Sequence, residues 1–268
     1  METVRRPAVA GAFYPREARV LQAEVEAYLA AARPGARTAP PKAIIAPHAG
    51  YVYSGPIAAS IYARLAPLRG RIRRVVLAGP AHRAYVSGAA IPSARAFGSP
   101  LGDVALDTGM LAALRALAFV EENDRAHALE HSLEVHLPFL QSVLGEFALV
   151  PIVVGEASAA EVAALFETAW GGDETLVVVS SDLSHYLPYE AARARDRNTV
   201  DAILRLEPRL EPEEACGAAP INGLLEVARR RGLRPELVDL RNSGDTAGDR
   251  ERVVGYAAFA FGPAGEHG

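Results

Sequence analysis

Three apolar runs in this chain end in a histidine: Ala43-Ile-Ile-Ala-Pro-His48, Val75-Val-Leu-Ala-Gly-Pro-Ala-His82 and Leu176-Val-Val-Val-Ser-Ser-Asp-Leu-Ser-His185. A neutral imidazole is a metal ligand, and its proton exchanges near pH 7. Gly50, Gly55 and Gly79 permit close backbone approach around these histidines. Tyr51, Tyr53 and Tyr186 could line a pocket with hydroxyls. A second cluster is His127-Ala-Leu-Glu130-His131-Ser-Leu-Glu134-Val-His136. Read as a helix, it places Glu130 and Glu134 at i,i+4 but sets His131 and His136 on different faces, which is not the zincin pattern. Its expected role is to support the metal ligands from behind or to meet substrate. A third feature is the polar loop Ser243-Gly-Asp245-Thr-Ala-Gly-Asp249. Its carboxylates could complete a site of two imidazoles and one carboxylate, a set that favours non-haem Fe(II). A divalent ion less one carboxylate leaves about +1, which suits an anionic substrate.

Such residues need elements to bring them together. Ala43–Pro47, Arg74–Ala78, Leu149–Val154, Thr175–Ser180, Glu236–Leu240 and Val253–Phe261 read as strands. Their continuous apolar character suggests a sheet covered on both faces. Helical patterns lie between them, over Glu17–Ala32, Gly55–Leu65, Asp107–Ala118, Ala157–Trp170, Tyr189–Leu204 and Glu213–Arg231. Strand–helix alternation predicts an α/β fold, with a central mostly parallel or mixed sheet flanked by helices. Ligands of such sheets bind outside the carboxyl ends of the strands, where the three histidines fall. If the strands before His48 and His82 are neighbours, their ends lie about 5 Å apart. Arg33–Pro41 is a Pro/Gly/Arg-rich loop too near the start to separate domains, so residues 1–268 are expected to form one domain.

Composition excludes several classes. Half the residues are hydrophobic and 22% are charged, against the profile of a disordered chain. With 28 Lys+Arg against 32 Asp+Glu, no nucleic-acid partner is expected. No run approaches the roughly 18 apolar residues of a membrane span, and no signal peptide opens the chain, so a cytoplasmic location is expected. Cys216 is the only cysteine, which excludes an intrachain disulfide. It reads as a small buried hydrophobe. The chain has neither a phosphate loop after Gly50 nor a GxSxG elbow.

The blocks Arg6-Pro-Ala-Val-Ala-Gly-Ala-Phe-Tyr-Pro15, Ile45-Ala-Pro-His-Ala-Gly-Tyr-Val-Tyr-Ser-Gly55, Leu77-Ala-Gly-Pro-Ala-His82, Glu130-His-Ser-Leu-Glu-Val-His-Leu-Pro-Phe139, Ser180-Ser-Asp-Leu-Ser-His185, Cys216-Gly217 and Ser243-Gly-Asp245 occur in order along nearly the whole chain. This set resembles the Memo family, whose bacterial and archaeal members are called AmmeMemoRadiSam system protein B. The resemblance implies a fold similar to class III extradiol dioxygenases, and a metal held by His48 and His82. It places the third ligand in the loop of Asp245, where eukaryotic members have a cysteine and the dioxygenases a glutamate. It implies His185 as acid/base with Asp182 beside it; the residues themselves add Glu130, His131, His136, Tyr53 and Tyr186 as supporting or substrate-facing groups. An all N/O site favours iron, with zinc or copper as alternatives. The resemblance also implies an AMMECR-type protein and a radical SAM enzyme as partners. Two functions follow as expectations. One is an iron-dependent, dioxygenase-like oxidoreductase acting on an anionic or catechol-like substrate. The other is a non-catalytic binding or metal-handling module that holds peptides or acidic ligands in the same pocket. A metallohydrolase is a third class, because the ligands also suit Zn²⁺.

Overall fold

The computed structural model describes residues 4–32 and 40–263. Most of the loop expected at Arg33–Pro41 lies outside the described residues. The strands, in chain order, are β1 (Val4–Arg5), β2 (Ala43–Ala46), β3 (Arg74–Pro80), β4 (Ala89–Ile91), β5 (Ala96–Ser99), β6 (Gly102–Ala105), β7 (Val120–Glu122), β8 (Ala148–Val154), β9 (Thr175–Ser180), β10 (His185–Leu187), β11 (Leu233–Asn242) and β12 (Val253–Pro263). The α-helices are α1 (Ala18–Ala31), α2 (Tyr51–Tyr62), α3 (Thr108–Leu114), α4 (Asp124–Ala128), α5 (Leu137–Leu144), α6 (Ala159–Ala169), α7 (Tyr189–Leu204) and α8 (Ala218–Arg231). No helix among the described residues is long and apolar enough to cross a membrane.

Among the described residues nine strands form one mixed sheet, ordered β10-β12-β2-β9-β3-β8-β4-β7, with β11 on β12. A separate small sheet joins β1, β5 and β6. The centre, β2-β9-β3-β8, is parallel. Most of its residues are Val, Ile, Leu and Ala with almost no exposed surface, as a sheet covered on both faces requires. The strands expected at Glu236–Leu240 and Val253–Phe261 belong to a long antiparallel pair at one side of that centre. Helices α1, α2 and α5 pack as one group and α3, α6 and α8 as another, both against this sheet. Each fully buried Val, Leu, Ile or Phe contributes about 1.5–3 kcal/mol. Local signals bound the helices. Ser158 and Glu161 cap α6 reciprocally, and α8 ends at Gly232 in the left-handed conformation after three arginines.

Two features of this fold differ from the expectation. Strands β2 and β3 are not neighbours, because β9 lies between them. The backbones that deliver His48 and His82 are therefore two strand spacings apart, about 9.5 Å. The 127–136 segment is also not one helix: α4 stops at Ala128, and only Glu134–His136 resumes a single 3₁₀ turn. Arg5 is the physical reason. Its guanidinium takes the carbonyls of His127 and Glu130, where a continuing helix would use them itself, and pairs with the buried Glu134. Glu134 also accepts from Ala8 N, Val9 N and Tyr14 Oη. The N-terminal segment is thus strapped across this loop.

Candidate metal centre

His48 and His82 follow β2 and β3, and their rings lean towards each other over the end of β9 to a centroid separation of 5.2 Å. The third ring of the group is His131. Its centroid lies 5.4 Å from that of His48 and 4.7 Å from that of His82. One donor atom from each of the three falls within 4.8 Å of the others. His48 is buried, His131 partly so, and His82 open to solvent. The loop left unwound by Arg5 is what lets His131 reach this point, and Phe13 of the N-terminal strap packs on its ring at 4.8 Å.

Hydrogen bonds set the state of each imidazole. Ser180 Oγ donates its only proton to Ser132 O at 2.6 Å. His48 Nδ1 (2.6 Å) and His136 Nε2 (2.8 Å) on the same oxygen must therefore both donate. That leaves His48 Nε2 with its lone pair turned to the group, and His136 Nδ1 free to accept from Tyr62 Oη. Glu130 Oε1 accepts from His82 Nδ1 at 2.9 Å, which leaves the lone pair of His82 on Nε2. Buried carboxylate–imidazole pairs of this kind orient metal ligands and raise their basicity. His131 Nδ1 lies 3.4 Å from the same oxygen and is a buried nitrogen without a hydrogen-bond partner among the described residues. Burial, then the neighbouring histidines, holds His48 well below the usual imidazole range. Burial likewise brings His131 down to about 4. His48 and His131 are thus neutral at pH 7, and with the lone pair left on His82 Nε2 the residues present fit a divalent ion.

Two acid/base groups stand beside them. Asp182 Oδ1 accepts the backbone N–H of His48 at 2.8 Å, yet burial outweighs that bond and lifts its carboxyl to about 7. His185 lies on β10, and burial lowers it below the usual imidazole value. Both line a cavity of about 620 Å³ that also holds His48, His82, His131, Tyr53 and Tyr186. Glu130 and His136 stand behind the imidazoles, bonded to His82 and to Ser180.

Asp245 is not brought to this point. Its carboxylate accepts from Tyr189 Oη and from Asn242 N, closing a reciprocal cap on the 3₁₀ turn Ser243–Asp245. It lines a different, smaller cavity with Arg193 and Arg241. The carboxylate expected to complete the group is thus committed to a turn, and a third imidazole stands where it was sought. Sequence reasoning also missed Cys216, whose Sγ lies 3.3 Å from His48 Nε2 and accepts from Asp182 N. Burial pushes its thiol up to about 12. Gly217 makes this approach: a Cβ there would stand 2.6 Å from Ser180 O, so only glycine lets the start of α8 meet the end of β9. The group of possible ligands holds nitrogen donors alone, and the sulfur of Cys216 stands beside His48. A lone cysteine carries no spacing pattern, so nothing but its place in the block Cys216-Gly217 marked it.

Comparison with known proteins follows the same line. A family model described as Memo-like protein matches residues 5–260. A MEMO1 family protein of Sulfolobus acidocaldarius is 34% identical, over 97% of this chain and 99% of the relative. Those of Archaeoglobus fulgidus and Aquifex aeolicus are each 37% identical, over 96% of this chain and 99% of their own. Among solved structures, one titled as the crystal structure of an uncharacterized protein JW3007 from Escherichia coli K12 aligns with a TM-score of 0.48 at 15% identity. It covers 80% of this chain and 98% of that one.

Proposed function

The chain belongs to the Memo family, and we propose that it is a mononuclear metalloenzyme that oxidises a chelating, anionic small molecule. The observation that carries the metal reading is the group His48, His82 and His131, whose donors converge with lone pairs freed by Ser180 and Glu130. The choice of oxidation rests on the motif resemblance to the Memo family and its dioxygenase-like fold. An ion held there would supply Lewis acidity and, if iron, the redox chemistry with O₂.

The residues of the chain do the rest. Tyr53, Tyr186 and Phe13 wall the cavity, and substrate enters past the exposed His82. Asp182, held near neutrality, and His185, whose imidazole burial holds below its usual value, take and return the substrate's proton. His48 Nδ1 keeps its proton on Ser180, so the acid/base work does not fall on the ligands.

The experiment is metal analysis of protein purified without added ions, then anaerobic Fe(II) loading and an oxygen-uptake screen. One equivalent of metal, lost in His82→Ala, is the expected result. Full occupancy in that variant refutes the ligand set. Stoichiometric zinc without iron-dependent uptake would assign hydrolysis instead, since three imidazoles also suit Zn²⁺. A second reading is favoured by the exposure of Tyr53 (40%) and Tyr186 (62%) at the cavity. Exposed aromatic side chains of that kind suit a surface that meets another molecule. On that reading the chain is a non-catalytic module working with AMMECR-type and radical SAM partners. Saturable binding of a reconstituted partner that survives His185→Ala would support it.

A further inference from the structure

Resting on the metal-centre reading, we propose that the N-terminal strap, residues 5–14, is an energetic part of the metal centre. Docking of the strap and binding of an ion at His131 strengthen each other, with Arg5 and Glu134 as positioning residues.

The strap supplies no donor to the three-imidazole group. It holds the loop that carries His131. The buried Arg5 donates from Nε to His127 O at 2.9 Å and from Nη2 to Glu130 O. In a continuing helix those two carbonyls accept from the N–H groups four residues on, which are those of His131 and Glu134. Arg5 therefore competes with the bond that would wind His131 into α4. Its own place is set by β1, which pairs with β5, and by the ring of Phe97, 5.3 Å below the guanidinium.

Glu134 closes the clasp. Its buried carboxylate pairs with Arg5 and accepts from Ala8 N at 2.7 Å, Val9 N at 2.9 Å and Tyr14 Oη at 2.6 Å. One side chain thus ties both ends of the strap to a point three residues after His131. Between those ends, Phe13 packs on the His131 ring at 4.8 Å, and its carbonyl is fixed by Tyr51 N at 2.8 Å. The other two imidazoles are aimed by hydrogen bonds of their own, His48 to Ser180 and His82 to Glu130. His131 Nδ1 has no hydrogen-bond partner among the described residues, so loop position and the Phe13 contact aim that ring. His131 is therefore the ligand that depends on the strap. Coupling of this kind is reciprocal: whatever factor the docked strap adds to metal affinity, bound metal adds to strap docking.

The test is amide hydrogen exchange of the full chain with and without Zn²⁺, the zinc content measured in every sample. With one equivalent bound, the amides of Ala8 and Val9 should exchange about 10- to 100-fold more slowly, the range by which groups that orient a ligand change metal affinity. The amide of Glu207, bonded to Ala202 O at 2.9 Å and not part of the cavity, should not change. Arg5→Lys keeps the charge but loses the fork that reaches both carbonyls. In that variant, shown folded by circular dichroism, zinc affinity by chelator competition should fall by the same factor. Phe13→Leu leaves the Arg5 clasp intact and serves where Arg5→Lys does not fold; it too should weaken zinc. Exchange at Ala8 and Val9 that zinc leaves unchanged overturns the proposal. So does equal slowing at Glu207, which is global stabilisation, or full zinc affinity in a folded variant. Protein that takes up no zinc overturns the metal-centre reading and the proposal with it, and the zinc content tells that failure from the others.

Discussion

Replacing Glu130 by glutamine tests whether the carboxylate behind His82 builds the metal centre. Glu130 is 1% exposed and accepts three hydrogen bonds, from His82 N at 2.6 Å, His82 Nδ1 at 2.9 Å and Ser132 N at 2.9 Å. Glutamine offers one oxygen and one NH₂. If its oxygen keeps His82 Nδ1 and Ser132 N, its NH₂ faces His82 N–H, donor against donor. An orphaned buried donor costs about 1–3 kcal/mol, and the remaining bonds lose their charge assistance. The acid–base behaviour points to the same size. Burial alone would raise this carboxyl, but His82 and the N–H groups of Ser132 and His82 outweigh it and hold it at about 2. A fall from 4.5 to about 2 is worth about 3 kcal/mol. Because the folded value lies below the unfolded one, this stability is present above pH 4.5 and is lost as pH falls towards 2. Denaturant titrations of metal-free protein should therefore show Glu130→Gln about 3 kcal/mol less stable at pH 7, with the two curves converging in acid. Metal affinity, read by chelator competition, should fall about 10- to 100-fold, because the His82 ring loses the partner that orients it. A pH-independent stability difference, or unchanged metal affinity, would refute the reasoning.

The other predictions concern the same framework. Removing a donor with His131→Ala should abolish stoichiometric metal binding, whereas Asp245→Ala should keep it and cost only about 1 kcal/mol, the value of a lost cap; metal analysis and thermal melts check both. Gly217→Ala should destabilise the chain by about 1–3 kcal/mol, since the added Cβ meets Ser180 O and the Ser181 side chain at 2.6 Å; the urea midpoint reads it. Burial holds His127 at about 4 and His136 at about 3, below the value of about 6.5 in an unfolded chain. The unfolded chain binds those protons first, so stability should be full above pH 6.5 and fall with a limiting slope of about 1.4 kcal/mol per pH unit for each histidine as pH drops towards 4. His127→Gln should reduce that slope by one histidine's share in denaturant titrations across pH.

The placing of His48 and His82 at one edge of an α/β sheet was legible in the sequence, because apolar runs ending in polar residues mark buried strands with their carboxyl ends at a site. Tyr189–Leu204 matches its helix from end to end, since apolar periodicity is a local property. The 127–136 segment misled for the opposite reason. Its polar spacing is helical on paper, but Arg5, more than a hundred residues earlier, takes the carbonyls a helix would need.

By itself the sequence determined the chemistry at hand: histidines at strand ends, carboxylates near them, a single thiol, and a covered sheet to hold them. Tertiary structure decided the membership of the group. It inserted β9 between β2 and β3, closed Asp245 into a turn, unwound the loop of His131, and let Gly217 bring Cys216 to His48. Which donors meet depends on strand order and on bonds between distant segments. Local patterns carry no record of either, because the energies that choose them arise only when the chain is packed.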